Sequence, residues 1–291
     1  MCINFISAKS IMNLENFHII NEIGHGTNGT VYKAVDSQGE ICAIKVLNQA
    51  SEFACRRLDN ENDALHKLHH EGIIQSRGTG VNEDGIHFMV MEFFDGINFR
   101  EYMNKYGSLS LKSKVQTLIK IADAIGAAHR AGYVHRDIKP SNILINPESG
   151  QVKITDFGIV LIPSSTLTRP IHIVGTPCYL SPEGFQSSKV TAASDVYSFG
   201  AMAYEFLLGR PLFDYTKLKR VQEMRSKAKN EKPLSPLKVD KSFPVNLARV
   251  LEKMIYKDPE QRYPDCNIAS RALRKVLNEG FKKTKVIFRT K

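Results

Sequence analysis

The stretch YVHRDIKPSNILI, residues 133–145, places charged and polar side chains inside a segment whose flanks are apolar. Its last residues, Ile143–Ile145, are typical of a buried strand, whereas Asp137, Lys139 and Asn142 precede them at short spacings. Because an unpaired charge is costly to bury, these side chains need partners. One interpretation is a salt-bridged surface loop. The other is a catalytic loop that faces an anionic ligand and a metal ion.

The hydrophobic pattern of the chain changes near residue 95. Before that point, alternating apolar residues and glycine-containing turns predict strands, and one stretch has helical spacing. The predicted strands are 17–23, 30–35, 40–47, 73–77 and 87–92, and the predicted helix is 51–69. After that point the predicted helices are 111–131, 192–208, 216–229, 246–256 and 266–278, with short strands at 143–145 and 152–154.

This change predicts an α+β fold with two lobes. We expect a small β-rich N-terminal lobe over residues 17–94, which contains one main helix, and a larger α-rich C-terminal lobe over residues 95–280. Residues 1–16 are expected to be a flexible lead-in, and residues 281–291 a basic tail.

The composition excludes several classes of protein. Hydrophobic residues make up 42% of the 291 residues and charged residues 24%, which is ordinary for a soluble globular protein. The five cysteines are widely spaced without a C-x-x-C pair, which argues against a disulfide scaffold or zinc site and for a reducing compartment. No stretch approaches the roughly 18 apolar residues of a membrane span, and the start is a poor signal peptide. We therefore expect a cytoplasmic protein without a membrane span.

The formal net charge is +10, and part of the excess lies in residues 217–241, which hold nine lysines and arginines against three acids. The favoured interpretation is a solvated basic surface, and docking of an acidic partner is the alternative. Nucleic acid is not expected as a partner, because aromatic residues are not interleaved with these charges.

Residues 24–31, GHGTNGTV, fit the pattern G-x-G-x-x-G-x-V. Glycines let backbone N–H groups approach phosphate oxygens closely. A dinucleotide-binding loop would continue into a helix, and a P-loop would end in Gly-Lys-Ser/Thr, whereas strand residues follow here. The context favours a strand–loop–strand flap that covers a nucleotide, with a plain glycine-rich hairpin as the alternative.

Lys45 lies in an otherwise apolar strand, on the same face as Ala43. A lysine that points into a buried site needs anionic partners, and phosphate oxygens or a carboxylate would serve. Glu61 is the natural carboxylate, because its helical spacing to Leu65 and Leu68 places it on or beside the core-facing stripe. The alternatives are a lysine that snorkels from an edge strand and a surface acid.

Several motifs between residues 135 and 183, taken together, resemble those of protein kinases. In chain order they are residues 135–142, similar to the H-R-D-x-K-x-x-N catalytic loop; residues 156–158, similar to D-F-G; residues 175–177 with Tyr179; and residues 181–183, where Ser replaces the usual Ala of A-P-E. The resemblance covers about residues 17–277 and is greatest to eukaryotic-like, Hanks-type serine/threonine kinases of bacteria. It implies a two-lobed kinase fold and transfer of the ATP γ-phosphate to protein hydroxyls.

The resemblance assigns roles to the charged residues. Asp137 would accept the proton of the substrate hydroxyl, and Lys139 would offset charge on the transferred group. Asn142 and Asp156 would hold Mg²⁺, with Mn²⁺ as a substitute. The implied ATP-binding residues are Ile23, Gly24, His25, Gly26, Thr27, Asn28, Gly29, Thr30, Val31, Ala43, Lys45, Glu61, Met91, Glu92, Phe94 and Leu144. Among these, the apolar members suit plain core packing equally well, and Asn98 falls where relatives place an acid near the ribose.

Lys139 and Thr176 are the variants that the family uses with Ser/Thr substrates, so the resemblance implies protein substrates modified on Ser or Thr. Arg136 would pair with a phosphorylated activation segment, whose candidate phosphosites are Ser164, Ser165, Thr166 and Thr168. Leu161 departs from the basic residue that many regulated relatives use there. An unmodified polar loop is the alternative.

Three residues are expected to be structural. Glu183 and Arg262 would form a buried ion pair, and Asp195 would accept hydrogen bonds from the catalytic loop backbone. Two alternatives to a protein kinase remain: a pseudokinase that binds nucleotide as a scaffold, and a small-molecule kinase on the same fold. The joint presence of Lys45, Asp137, Asn142 and Asp156 argues against the first.

Overall fold

The computed structural model describes residues 14, 16–26, 29–157, 178–186, 190–218 and 220–283. The chain divides into two compact units. The strand unit consists of the residues up to His69 together with Ile73–Asp95, and the helical unit consists of His70–Gly72 together with the residues from Gly96 onward.

The strand unit is a five-stranded antiparallel sheet with one helix. The strands follow the order β1-β2-β3-β5-β4. They are β1 (Phe17–His25), β2 (Thr30–Asp36), β3 (Ile41–Val46), β4 (Ser76–Val81) and β5 (His87–Glu92). Helix α1 (Glu52–Lys67) connects β3 to β4 and begins after Ser51, whose hydroxyl accepts the Ala54 N–H at the N-cap.

The two faces of this sheet have different residues. One face carries the apolar core, in which Tyr32, Ile44 and Val90 lie side by side on three adjacent strands. The strand period of two places Lys45 on the opposite face, beside Val31 and Met89 in the same register. The alternation that predicted the strands therefore also sets the face on which the lysine lies.

The fourth strand begins later than predicted. The sequence predicted a strand over residues 73–77, but β4 runs over Ser76–Val81, and Ile73 and Ile74 are buried in the connection before it. The prediction was wrong because two apolar residues were taken for a strand, whereas the strand itself contains Gly78 and Gly80. A side chain at Gly80 would overlap the ring of Phe88 on β5 unless that ring moved, so glycine fits there without a rearrangement.

The helical unit contains most of the remaining elements. Its helices are α2 (Phe99–Lys105), α3 (Leu111–Arg130), α4 (Ala192–Leu208), α5 (Val221–Asn230), α6 (Pro236–Val239), α7 (Val245–Met254) and α8 (Cys266–Glu279). A three-stranded antiparallel sheet has the order β6-β7-β8, with β6 at Ile97–Asn98, β7 at Ile143–Ile145 and β8 at Val152–Ile154. These elements confirm the predicted α+β fold with a β-rich first part and an α-rich second part.

Helix α4 forms the centre of the helical unit. Almost every residue of this helix is buried, which explains why its sequence is apolar on all sides. The helix ends at Gly209, whose φ of 70° is the left-handed conformation that glycine adopts without strain. Asp195, in the first turn of this buried helix, is only 1% exposed, so its carboxylate needs hydrogen-bond donors.

The sequence did not predict the shortest elements. Helices α2 and α6 and strand β6 have seven, four and two residues, too few to show a period. Among the described residues, no helix has the length and apolar character needed to span a membrane.

Candidate active site

Lys45 and Glu61 form a buried ion pair in the strand unit. The Lys45 Nζ lies 3.0 Å from Glu61 Oε1 and 2.8 Å from Oε2, and the two residues are 6% and 4% exposed. Strand β3 directs the lysine to the face on which α1 packs, and the helical period directs the glutamate back toward it. The pair also lines a cavity of about 400 Å³ within this unit, together with Asn48, Phe53 and Arg57. The structure thus brings together the two charges that the sequence paired.

The glycine loop connects β1 to β2, and its base is tightly packed. The Gly26 N–H donates to the Gly29 carbonyl at 3.0 Å. A side chain at Gly29 would overlap the carbonyl oxygen of Val46 on β3, so only glycine fits. Thr27 and Asn28 lie outside the described residues. The loop therefore has the strand–loop–strand context that the sequence predicted.

The apolar residues predicted to contact the base occupy several places. Ala43 and Met91 are adjacent in register and 6% and 7% exposed, on the sheet face that also holds Lys45 and Val31. Ile23 on β1 is 45% exposed, and Gly24 beside it pairs with Val31. Leu144 belongs to the helical unit, where it pairs with Lys153 in the middle of β7.

The segment after β5 is fixed by hydrogen bonds to residues near Gln75. The Glu92 N–H donates to the Gln75 carbonyl at 2.9 Å, and Glu92 Oε1 accepts the Gln75 N–H at 2.8 Å. Phe94 is half-buried next to this anchor, and Lys33 lies 4.3 Å from the Phe93 ring centroid. Asn98 caps helix α2, because its Oδ1 accepts the Glu101 N–H at 2.9 Å.

In the helical unit, the catalytic-loop candidates form one cluster around Asp137. The Lys139 Nζ lies 2.8 Å from Asp137 Oδ2, and the Asn142 amide donates to the same oxygen at 2.9 Å and to the Asp137 carbonyl at 2.9 Å. Asn142 must present its NH₂ group to these acceptors, so its Oδ1 faces away from Asp137, 3.3 Å from the Ser141 hydroxyl. The cluster is half-buried, since the Asp137 and Lys139 side chains are 40% and 31% exposed.

The backbone before Asp137 is held by Asp195. Its two carboxylate oxygens accept the N–H groups of His135 and Arg136 at 2.7 and 2.9 Å, as the sequence predicted for this acid. Arg136 has a φ of 69°, a left-handed conformation that is unfavourable for a residue with a side chain. The buried carboxylate therefore stabilises a strained backbone immediately before Asp137.

His135 connects this loop to the segment that carries Asp156. Its Nδ1 accepts the Asp137 N–H at 3.3 Å, so Nε2 carries the proton and donates to the Thr155 carbonyl at 3.0 Å. Burial lowers the pKa of His135, although nearby acids oppose this effect, so the ring is neutral. Thr155 in turn donates its N–H to the Asn142 carbonyl at 2.9 Å. Asn142, Asp137 and the residue before Asp156 thus belong to one hydrogen-bonded network.

Asp156 and Phe157 end the described part of this segment. Asp156 has a φ of 53°, the second left-handed residue with a side chain in the described backbone. Phe157 is 1% exposed, and its ring centroid lies 4.5 Å from that of His135. This packing fixes Phe157, which directly follows Asp156. Gly158 lies outside the described residues. The Asp156 carboxylate and the Asn142 amide oxygen are hard donors of the kind that suits Mg²⁺. This ion usually completes its shell with water and phosphate oxygens.

Glu183 and Arg262 form the predicted ion pair. The Arg262 side chain is fully buried, and its Nη1 and Nη2 contact Glu183 Oε1 and Oε2 at 2.6 and 2.8 Å. Its remaining N–H groups donate to the carbonyls of Tyr256, Ala193 and Lys257 at 2.7–2.9 Å. Burial opposes ionisation of Glu183, but the hydrogen bonds and charge of Arg262 outweigh it, so the pKa of Glu183 is lowered.

Sequence reasoning missed two contacts of functional interest. His129 donates to Asp195 Oδ2 at 3.0 Å and accepts the Cys266 N–H at 3.1 Å, which supports the acid that holds the catalytic loop. Glu205 accepts hydrogen bonds from Arg100 at 2.7 Å and from the Tyr179 hydroxyl at 2.6 Å. The signal for the second cluster was present, because Glu205 interrupts the apolar sequence of α4.

Other predicted site residues lie outside the described residues. They are Ser164, Ser165, Thr166, Thr168, Thr176, Leu161, Gly175 and Pro177. In the basic segment, α5 is exposed on most of its surface, and Lys227 forms an ion pair with Glu231 at 3.0 Å.

Comparison with known proteins identifies the family. The family model described as "Protein kinase domain" matches residues 17–275, so the chain belongs to the protein kinase domain family. It is 34% identical to the serine/threonine-protein kinase PkaA of Streptomyces coelicolor over 89% of this chain and 49% of that protein. It is 35% identical to the serine/threonine-protein kinase PrkC of Bacillus subtilis over 85% of this chain and 38% of that protein.

These relatives confirm the predicted resemblance to bacterial serine/threonine kinases. The chain spans half or less of the length of these curated relatives, since it covers 27% to 49% of four of them.

Proposed function

We propose that this chain is an ATP-dependent protein kinase that transfers the γ-phosphate to Ser or Thr hydroxyls of proteins. The single observation that carries the proposal is the Asp137 cluster, in which Lys139 and Asn142 both contact Oδ2 at 2.8–2.9 Å. Phosphoryl transfer asks a protein mainly for positioning and charge stabilisation, and this cluster is built for both. The family and the names of its relatives support the same activity.

In the proposed reaction, Asp137 orients the acceptor hydroxyl and takes its proton. Lys139 and Asn142 hold Oδ2, so we assign Oδ1 to the acceptor. The ammonium of Lys139 also reduces negative charge near the transferred group. Because Asp195 fixes the backbone on the N-terminal side of Asp137, the carboxylate is held in place before substrate binds.

For nucleotide binding, we assign the phosphate contacts to the glycine loop and Lys45. The Glu61 carboxylate holds the Lys45 ammonium at 2.8 Å, so the charge is already oriented for an anion. Asn142 Oδ1 and the Asp156 carboxylate would hold Mg²⁺ or Mn²⁺. When bound, this ion would neutralise phosphate charge as the γ-phosphoryl group is transferred. The base would lie against Ile23, Val31, Ala43 and Met91, with the backbone of Glu92 and Phe94 reading its edge.

We also propose that phosphorylation of Ser164, Ser165, Thr166 or Thr168 raises the activity. Arg136 supports this proposal, because its Nε is buried without a hydrogen-bond partner among the described residues. An unsatisfied buried donor is suited to an anion such as phosphate. A variant with all four hydroxyl residues changed to Ala should lose activity, and full activity in that variant would contradict the proposal.

Three finer proposals concern the cellular context. We propose a cytoplasmic location and protein substrates, without nucleic acid as a partner. The basic segment of residues 217–241 is a candidate docking surface for an acidic protein, because most of α5 is exposed and it carries Arg225, Lys227 and Lys229 against Glu223.

The test of the activity is incubation with radiolabelled ATP, Mg²⁺ and a generic basic protein. The label is expected on Ser or Thr, and the Asp137→Asn variant is expected to lose it. Nucleotide binding without any transfer would support the pseudokinase alternative. Labelling of a small molecule but of no protein would support the small-molecule alternative.

A further inference from the structure

The side chain of Asn48 joins the glycine loop to the end of β3. Its Nδ2 donates to the Gly26 carbonyl at 2.9 Å, across 22 residues of sequence. Its Oδ1 accepts a hydrogen bond from the Thr30 hydroxyl at 3.1 Å. Asn48 therefore contacts both sides of the loop, at Gly26 before Thr27 and Asn28 and at Thr30, one residue after Gly29.

The hydrogen bonds define a chain with one consistent set of donors. A carbonyl only accepts, so Asn48 must present its NH₂ group to Gly26 and its oxygen to Thr30. The Thr30 hydroxyl donates its one hydrogen to Asn48 Oδ1. The His25 Nδ1, 3.0 Å away, must therefore be the donor to the Thr30 hydroxyl oxygen. We call the side chains of His25, Thr30 and Asn48 the Asn48 bridge.

The same strand end also holds the phosphate-binding lysine. Lys45 lies three residues before Asn48, and its ammonium is held by Glu61 at 2.8 Å. Gly29 packs against the Val46 carbonyl so closely that no side chain fits. The base of the glycine loop is thus attached to Val46 and Asn48, at and just after the end of β3, within three residues of Lys45 and all in the strand unit.

We propose that Asn48 is a positioning residue for the nucleotide phosphates. By holding the Gly26 carbonyl and the Thr30 hydroxyl, it fixes the two described ends of the loop close in sequence to Lys45. This inference rests on the proposed ATP binding and adds a residue outside the glycine and lysine motifs. It predicts that Asn48 contributes to binding of the phosphates and not to binding of the nucleoside.

The test compares MgATP with adenosine, which has no phosphates. Asn48→Ala is expected to weaken MgATP binding about two- to fivefold, because one lost hydrogen bond is exposed, the other is part-buried, and each has a modest net value. The KM for MgATP should rise by the same factor with little change in kcat, and adenosine binding should be unchanged. Asn21→Ala is the matched control, because Asn21 is an exposed strand residue whose side chain bonds only to the adjacent Glu22 carbonyl among the described contacts.

A double-mutant cycle tests the connection through Thr30. Thr30→Val removes the hydroxyl while it keeps the shape, so its effect on MgATP binding should be largely contained in that of Asn48→Ala. Additive effects, or equal weakening of MgATP and adenosine by Asn48→Ala, would overturn the inference in favour of general destabilisation. If the unaltered chain binds no MgATP at all, the proposed function fails instead, and calorimetry on that chain separates the two cases.

Discussion

Removal of the Glu183 carboxylate tests how the helical unit is held together. Arg262 makes five hydrogen bonds, two to Glu183 and three to backbone carbonyls, with its side chain fully buried. The Glu183→Gln variant keeps the three carbonyl bonds and one amide oxygen but leaves the guanidinium charge without its counter-ion. Breaking a buried pair in this way costs about 3–5 kcal/mol. Because three backbone carbonyls still accept hydrogen bonds from Arg262, we expect a loss at the lower end of this range, about 3 kcal/mol.

The assay is urea unfolding followed by far-UV circular dichroism, because the chain has no tryptophan to report by fluorescence. In thermal unfolding followed by the same signal, a loss of about 3 kcal/mol corresponds to a decrease in Tm of about 6–12 °C for a unit of this size. Glu231→Gln is the matched control, since Glu231 forms an exposed pair with Lys227 and its side chain is 54% exposed. That exposed pair is worth less than about 1 kcal/mol.

The pH dependence provides a second check on the same variant. The pKa of Glu183 is lowered in the folded state, so its contribution to stability is present above the unfolded pKa and is lost as the pH falls through the folded pKa. The difference in stability between wild type and Glu183→Gln should therefore shrink once the pH falls below about 4.5, the ordinary value for Glu. Equal losses from Glu183→Gln and Glu231→Gln at neutral pH would refute the reasoning.

Three further predictions concern the glycine loop and the residues that hold the Asp137 loop. Gly29→Ala should displace the glycine loop, because the new methyl would overlap the Val46 carbonyl, and the KM for MgATP should rise at least severalfold in steady-state kinetics. Asp195→Asn should lower kcat at least tenfold with little change in the KM for MgATP. The reason is that an amide NH₂ would face one of the backbone N–H groups of His135 and Arg136, which now donate to the carboxylate. Acidification below about pH 6.5 should destabilise the helical unit. The pKa of His135 is lowered in the folded state, so as the pH falls the unfolded chain binds a proton there before the folded chain does. In His135→Gln the unfolding free energy should depend less on pH in this range.

The sequence predicted well wherever chemistry and local pattern coincide. The alternation in β2 and β3 placed Lys45 on the face that receives Glu61, and the charges between Val134 and Ile143 required partners that the structure supplies. Such features can be read locally because a strand or helix period fixes the direction of each side chain. The same reasoning failed at β4, where glycines replace the apolar residues that normally mark a strand.

Contacts between residues far apart in the chain were predicted only where the family resemblance supplied them, as for Glu183 with Arg262. Arg100 and Glu205 are separated by 105 residues and Arg130 and Asn267 by 137, so no local pattern relates them. Asn48 is similar, because an exposed asparagine after a strand is ordinary until the Gly26 carbonyl is seen to face it. A polar residue that interrupts an apolar helix, such as Glu205, shows beforehand that it needs a partner, but not which residue supplies it.

The strained residues of the helical unit explain why Asp195, the acid that holds the catalytic loop, is buried in α4. Arg136 and Asp156 both adopt left-handed φ values, each of which costs about 1–2 kcal/mol for a residue with a side chain. Strain of this kind persists only when the surroundings over-determine it. Asp195 fixes Arg136 through two charge-assisted bonds to the loop, and neutral His135 fixes the carbonyl of Thr155, next to Asp156. A side chain on the most buried helix can move least, so the carboxylate that holds the strained loop lies where its own position is best defined.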